Sequence, residues 1–548
     1  MRKFSFLFFL SLLLFMNVRL LSQPDIQWQR AYGGSYFEGV HKINSTNDGG
    51  YIIAGFAYSG NGDVTGYHWA LGARFADAWI VRTDANGTLL WQRCMGSSLH
   101  EYAADVRQTT DGGFIVAASS NAISNMQDVV GNHGGSDFWV IKLDAGGNTQ
   151  WQKCLGGTAD EFASSICQTS DGGYIVAGKS LSNSGDVSGQ HGGNDCWIVK
   201  LNSSGDIQWQ RSLGGSKEDI ATAITPTTDG GYIFTGFTLS HDGDVVGHHG
   251  NSNPHQNNYD YWVVKLNSNG TIQWQKCLGG DKDDLSYSIQ QTNDAGYIVT
   301  GYTLSNDGDV SGHHKGSKKG QVNADYWVVK LTSAGTIQWQ KCLGGKLDDI
   351  AQSVQQSTDG GYIVGGTSFS NDGDVSGNHG VQDYWIVKLY STGNIDWQKS
   401  LGGSLEEYCG AVIQKNDGGY IAVGKTSSND GDVSGNHGAS DVWVVSLAGE
   451  EARFSVNRTI TGIKEKEISS FTIYPNPAQK QVNIYFPQKN LYEDVTISLI
   501  NAVGQNVKQV SISSSLTTIP LTGLASGFYV YQIRSGRKNL KTGKLVIE

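Results

Sequence analysis

Past residue 22 the chain contains no apolar run long enough to cross a bilayer, which excludes a helical membrane span from the rest of the sequence. Clustered cations are also missing, and the net charge is −11. Nucleic acid is therefore excluded as a partner, because phosphate binding needs grouped Lys and Arg. No nucleophile motif, Cys/His arrangement or phosphate-cradling loop stands out, and the many Gly-Gly pairs lack a following Lys-Ser/Thr. Cysteine is sparse, at 7 in 548 residues. Cys94, Cys154, Cys277 and Cys342 follow Trp-Gln-Arg/Lys in four separate units, at places filled elsewhere by Ala31, Ser212 and Ser400. Such spacing keeps them too far apart for disulfides and predicts small buried side chains.

What is present begins with an export signature. Arg2 and Lys3 precede an apolar stretch from Phe4 to Met16, which predicts a signal peptide over residues 1–22 cut near Ser22. With 38% apolar and 17% charged residues, the remainder reads as globular.

One unit of about 60 residues then recurs seven times. Its landmark is a turn before an apolar strand: Asp48-Gly-Gly-Tyr, Asp111-Gly-Gly-Phe, Asp171-Gly-Gly-Tyr, Asp229-Gly-Gly-Tyr, Asp294-Ala-Gly-Tyr, Asp359-Gly-Gly-Tyr and Asp417-Gly-Gly-Tyr. Each unit holds four short strand patterns, the content of one propeller blade. Fourteen of the 15 Trp residues sit on the third or fourth strand of a unit, where large rings fill the space between sheets. Only Trp69 falls outside that pattern. The chain opens with a fourth-type strand, Ile26-Gln-Trp-Gln-Arg, and its last unit stops after a third, Val442-Trp-Val-Val-Ser-Leu. The fold class is therefore all-β: a seven-bladed propeller over 23–448, closed by its N-terminal strand. A polar linker (449–470) and a second strand-rich region (471–548) follow.

That last region carries Tyr474-Pro-Asn-Pro, Asn501-Ala-Val-Gly, Leu521-Thr-Gly-Leu-Ala-Ser-Gly-Phe-Tyr-Val and a terminal Lys544-Leu-Val-Ile. In this order they resemble the C-terminal sorting domain of the type IX secretion system of Bacteroidota. The family more often has Asp where Asn501 stands. The resemblance implies a small β-sandwich, recognition by the type IX machinery, and a secreted or cell-surface destination. It implies nothing about the task performed there.

Strand order places the long loops between second and third strands on one face, together with the Leu-Gly-Gly loops that link blades. Function on such folds concentrates in long loops. Each carries Asp-Val-x-Gly-x-His, and an Asp precedes each third-strand Trp. In blades six and seven, Asp372, Asp374, Ser376 and Asp383, and likewise Asp430, Asp432, Ser434 and Asp441, look like EF-hand calcium loops, with Asp in place of the twelfth Glu and no flanking helices. The alternative is that these side chains bond the loops' own backbone. Calcium is the one cofactor expected, set against that alternative. Among asymmetric elements, Tyr67 and Trp69 are expected to stack on a sugar, with His255 in an Asn/Gln/His insertion reading hydroxyls. The reading is a binding module for an extracellular polysaccharide or surface glycoprotein. The alternatives are a polysaccharide hydrolase using paired acids at the channel mouth, or a structural surface protein.

Overall fold

The computed structural model describes residues 23–68, 74–122, 127–250, 258–316, 323–449, 472–474, 477–486, 495–501, 505–535 and 538–547. The expected signal peptide and residues 450–470 of the expected linker lie outside them. Every regular element among the described residues is a β-strand. No helix there is long and apolar enough to cross a membrane. The chain divides into two compact units, Met1–Arg458 and Thr459–Glu548.

The first unit is a β-propeller of four-stranded antiparallel sheets, seven of them among the described residues. In the first, Glu38–Ser45, Tyr51–Ala57, Asp77–Thr83 and Leu89–Met95 pair in chain order. The seventh takes its outer strand from the start of the chain: Ile26–Tyr32 pairs antiparallel with Asp441–Leu447. First and seventh sheets share one hydrophobic cluster, in which Val40 and Ile53 meet Ala411, Val423 and Val442. The ring is closed, and neither end of the array leaves an edge strand unpaired.

The recurring residues explain why each unit folds this way. In the Asp-Gly-Gly turns the first glycine adopts a left-handed φ, +84° at Gly49 and +85° at Gly360, which only glycine takes at no cost. Blade five departs from this, holding Ala295 at φ +62°. The Trp-Gln pair has a hydrogen-bonding reason. Each third-strand Trp is fully buried, and its indole N–H donates to the Gln that follows the fourth-strand Trp: Trp79 to Gln92 at 2.7 Å, Trp327 to Gln340 at 2.9 Å. In blade seven the acceptor is Gln29 of the closing strand, at 2.7 Å from Trp443. Fourth-strand Trp rings pack on the next blade's turn. A Cβ on Gly87 would lie 2.6 Å from the ring of Trp28, so that turn needs glycine for space as well as for its φ of +76°. All seven Cys among these residues are free, and the four recurring ones are buried.

At the turn face each blade buries a cation against its turn Asp. Lys142 meets Asp111 at 2.9 Å and Lys200 meets Asp171 at 2.8 Å, with Arg82 and Asp48 taking these roles in blade one. Blade seven has Ser446 in the Lys position, and Lys415, two residues before Asp417 in the same turn, supplies the ammonium at 3.3 Å.

The second unit has a three-stranded sheet (Thr472–Tyr474, Gln481–Tyr485, Leu516–Pro520) and a four-stranded one (Val495–Ile500, Asn506–Ser511, Gly527–Ser535, Lys538–Ile547). Val482, Ile484 and Ile519 of the first share a core with Ile497, Leu499 and Ile533 of the second. That is a small β-sandwich.

Candidate binding site at the channel mouth

The acids and histidines of the long loops build the seams between blades. Asp63, Asp128, Asp186, Asp244, Asp309, Asp374 and Asp432 each donate a backbone N–H to the first Gly carbonyl of the preceding interblade loop, at 2.8–3.2 Å. The Val after each is buried, anchoring the loop. Each loop His then turns its Nδ1 to the buried Asp before its own blade's Trp, as His68 does to Asp77 (2.8 Å), His249 to Asp260 (2.7 Å) and His379 to Asp383 (2.7 Å). The far nitrogen faces the next blade, with His68 Nε2 3.5 Å from Asp128 and His249 Nε2 3.4 Å from Asp309. In five of the seven blades histidine thus ties one blade to the next.

A second acid stands at every seam. A Cβ on Gly96 would lie 2.5 Å from Glu101 Oε2 and 3.1 Å from Asp77 Oδ1, so two buried carboxylates converge there. The same holds for Asp137 with Glu161, Asp195 with Asp219, Asp260 with Asp284, Asp325 with Asp349, Asp383 with Glu407, and Asp441 with Glu38. The Oδ1 of the loop-side Asp has no hydrogen-bond partner among the described residues in any of the seven. Burial pushes Asp137 and Asp219 up to about 6, and Asp284 and Asp349 up to about 7. All these carboxylates are 0–1% exposed. A polysaccharide does not reach them, so they cannot serve as the acid pair of a hydrolase.

The calcium-loop residues are held by separate partners. Asp372 accepts from the backbone N–H and the ammonium of Lys346, at 2.9 and 2.8 Å. Asp374 accepts from the Gly344 N–H (3.3 Å), Ser376 from Gln398 (2.5 Å) and Asp383 from His379. In blade seven Asp430 accepts from the Ser404 N–H (2.8 Å), Asp432 from the Gly402 N–H (3.3 Å), Ser434 from Gln29, and Asp441 from His437. Among the described residues no three His, Cys, Asp or Glu side chains are grouped as a metal site would require.

Tyr67 corrects an expectation. It is 8% exposed, lies in the core cluster between the first and last blades, and donates its hydroxyl to the Phe75 carbonyl at 2.6 Å. Its ring faces are spent on packing and are not open to a sugar. Trp69 and His255 lie outside the described residues.

The aromatic surface lies instead around the central channel. The first strand of each blade lines it, and each carries a β-bulge at its third to fifth residues. The bulged residues are His41, Ala104, Ser164, Thr222, Tyr287, Gln352 and Gly410, and all seven line a cavity of 450 Å³ opening on the long-loop face. A bulge re-aims a side chain that regular alternation would place elsewhere. Phe56, Tyr102, Phe162 and Tyr408 complete the cavity's aromatic lining. Blades one and two extend it into a wall. Phe56 meets Tyr102 edge-on at 5.2 Å, His100 stacks on Tyr102 at 5.7 Å, and the hydroxyls of Tyr58 and Tyr102 lie 3.1 Å apart. Arg74 lies over the ring of Tyr36 at 3.4 Å.

The rim opposite is acidic. The residue just before the buried seam acid is Phe37 and His100 in blades one and two, but Asp160, Glu218, Asp283, Asp348 and Glu406 in blades three to seven. Glu218 accepts from Tyr259 and Asn194 (2.7 and 2.9 Å), and Asp348 from the Ala324 N–H (2.8 Å). An aromatic wall facing fixed acceptors over a 450 Å³ cavity has the make-up of a small-molecule site. Sequence reading missed it. Its only signal was the one column of the inner strand where seven otherwise similar units carry seven different residues.

Comparison with known proteins bears on the second unit first. Residues 472–548 match the family of secretion system C-terminal sorting domains. The chain carries a type IX sorting domain. That domain marks proteins exported to the cell surface or secreted, so the propeller is its passenger. Regulatory protein FlaEY of Caulobacter vibrioides is 28% identical over 151 residues, which is 25% of this chain and 16% of that protein. The chain thus spans about a sixth of that curated relative's length. Among solved structures, the Pan2 WD40 domain of Neurospora crassa is similar at 10% identity (74% of this chain, 89% of that one, TM-score 0.41). PorZ, an essential surface component of the type IX secretion system of Porphyromonas gingivalis, is similar at 10% identity (95% and 75%, TM-score 0.32).

Proposed function

We propose that the propeller is an extracellular binding module whose channel mouth takes a saccharide of a polysaccharide or surface glycoprotein. The observation that carries this is the wall of Phe56, Tyr58, His100 and Tyr102 set against the acidic rim of blades three to seven. Flat rings offer faces to the apolar side of a pyranose, and fixed carboxylates accept from its hydroxyls. Exposed Phe37 (57%) and Leu405 (50%) on the same face favour a second reading, in which the partner is a surface protein and the rim itself is the contact.

The test is depletion of the full chain by a panel of soluble and insoluble polysaccharides, with new reducing ends read from the same tubes. Depletion without new ends is expected, weakened about tenfold or more by Tyr102→Ala. Failure of every polysaccharide to deplete the protein, or indifference to Tyr102→Ala, would overturn the saccharide reading.

A further inference from the structure

Below the aromatic mouth the inner strands line a smaller cavity, of 170 Å³ against 450 Å³, and this waist carries charged side chains. At the fifth residue of the seven inner strands stand Lys42, Asp105, Ser165, Ala223, Ser288, Ser353 and Ala411. At the seventh stand Asn44, Arg107, Cys167, Thr225, Gln290, Gln355 and Ile413. All the charge comes from blades one and two, directly beneath the aromatic wall. Lys42 borders both the 450 Å³ mouth and a second cavity of 170 Å³ that Arg107 also lines.

The charges there do not cancel. Asp105 is fully buried and well occupied: Oδ1 accepts from the Val106 N–H (2.9 Å), and Oδ2 from the Ile166 N–H and the Ser165 hydroxyl, both at 3.2 Å. Arg107 donates to Asn44 Oδ1 at 2.8 Å, and its Nε is ion-paired with Asp105 at 3.4 Å. No carboxylate lies within ion-pair distance of the Lys42 ammonium among the described residues. Two cations against one anion leave one uncompensated positive charge in a narrow wall, and desolvation there holds Lys42 below the usual lysine range.

We propose that the waist is an anion subsite, in which Lys42, beside the Arg107 guanidinium, binds the carboxylate of an acidic saccharide whose ring rests on the aromatic wall. This names the ligand class of the saccharide reading and rests on it. The acidic rim does not forbid such a ligand. Its carboxylates lie at the solvent face, where salt screens them over about 8–10 Å, whereas the Lys42 pairing forms in the desolvated wall. The rim takes hydroxyls and the waist takes the charge.

The experiment titrates the full chain with trigalacturonate and, separately, with its fully methyl-esterified form, which keeps the rings and removes the charge. The acid is expected to bind about tenfold more tightly than the ester. Lys42→Met should remove that preference while leaving ester binding intact, and Lys42→Arg should restore it. Equal affinity for acid and ester in the wild type, or a preference that survives in Lys42→Met, would overturn the anion subsite alone. If neither form binds, the acidic-saccharide ligand class fails; if Tyr102→Ala leaves ester binding unchanged, the saccharide reading fails and takes this inference with it.

Discussion

Between the blades, the same side chain does the same task seven times: a His reaching a buried Asp, a Trp N–H reaching a Gln, a second acid facing the first. Along the channel, neighbouring blades share little, and the bulge position alone runs through His41, Ala104, Ser164, Thr222, Tyr287, Gln352 and Gly410. The difference follows from what each surface must satisfy. Every seam is the same packing problem and selects the same residues. The channel wall borders open cavities where the seams meet a facing sheet, and is free to differ wherever a ligand needs it to.

The comparison breaks most sharply on a pair of aromatic deletions. Trp443→Ala removes a fully buried ring that packs against Tyr384 at 4.9 Å and leaves Gln29 without the indole N–H it accepts from. It should cost about 3–5 kcal/mol, read by thermal or denaturant unfolding. Tyr102→Ala, on the channel wall, should cost about 1 kcal/mol or less and show its effect in ligand binding. Equal losses of stability would erase the distinction between seam and wall.

The same distinction explains how much could be read beforehand. The blade was legible because its landmarks are local: Asp-Gly-Gly turns, Trp-Gln pairs, and an orphan fourth-type strand at the start. The sorting domain was legible because its signature is a fixed order of short motifs. The channel site was not. A sequence shows strand alternation, and the bulge after the third inner-strand residue breaks that alternation with no glycine or proline to mark it except Gly410 in blade seven. Tyr67 misled for the opposite reason. It stands in a loop with other aromatics, yet the loop folds back and buries it between blades one and seven. The repeated Asp and His residues were visible, but nothing in their spacing shows that five of the seven His reach acids in two blades.

A smaller effect sharpens the comparison through pH. Burial raises Asp137 and Asp219 to about 6 and Asp284 and Asp349 to about 7, while the bond to its partner Asp raises His68, His249 and His314. A folded-state pKa above the unfolded one means protons bind the folded form more tightly. The stability the carboxylates contribute is full below their unfolded value and is lost as pH rises through about 6 to 7, and that of the His residues is lost as pH rises through their raised values. At the turn face the sign reverses. Burial works against ionisation there, but Thr109 with Lys142, and Lys200 with Thr169, hold Asp111 and Asp171 down at about 2, so that contribution is lost in stronger acid. Those Asp side chains are about half exposed, which makes theirs the weaker effect. The melting temperature should therefore climb by about 5 °C from pH 8 to pH 5 and fall again below about pH 4. A flat profile between pH 8 and 5 would mean that the seam carboxylates are hydrated in solution.

Calcium should have the smallest effect of all. To wrap an ion, the blade-six loop would have to pull Asp372 from Lys346, Asp374 from Gly344, Ser376 from Gln398 and Asp383 from His379. Those four partners belong to the interblade loops, the outer strand and the loop itself, so the exchange would open the seam in order to close the loop. Calcium or excess chelator should then move the melting temperature of the full chain by less than about 1 °C, because a ligand stabilises only by what it gains on the folded form over the unfolded. Asp372→Asn and Asp430→Asn, which keep an acceptor for the Lys346 and Ser404 N–H groups, should be nearly neutral with or without the ion. A rise of several degrees with calcium, removed by either substitution, would show that these two loops abandon the seam geometry shared by the other blades. Blades six and seven would then join the channel wall as places where the repeat gives way to a ligand.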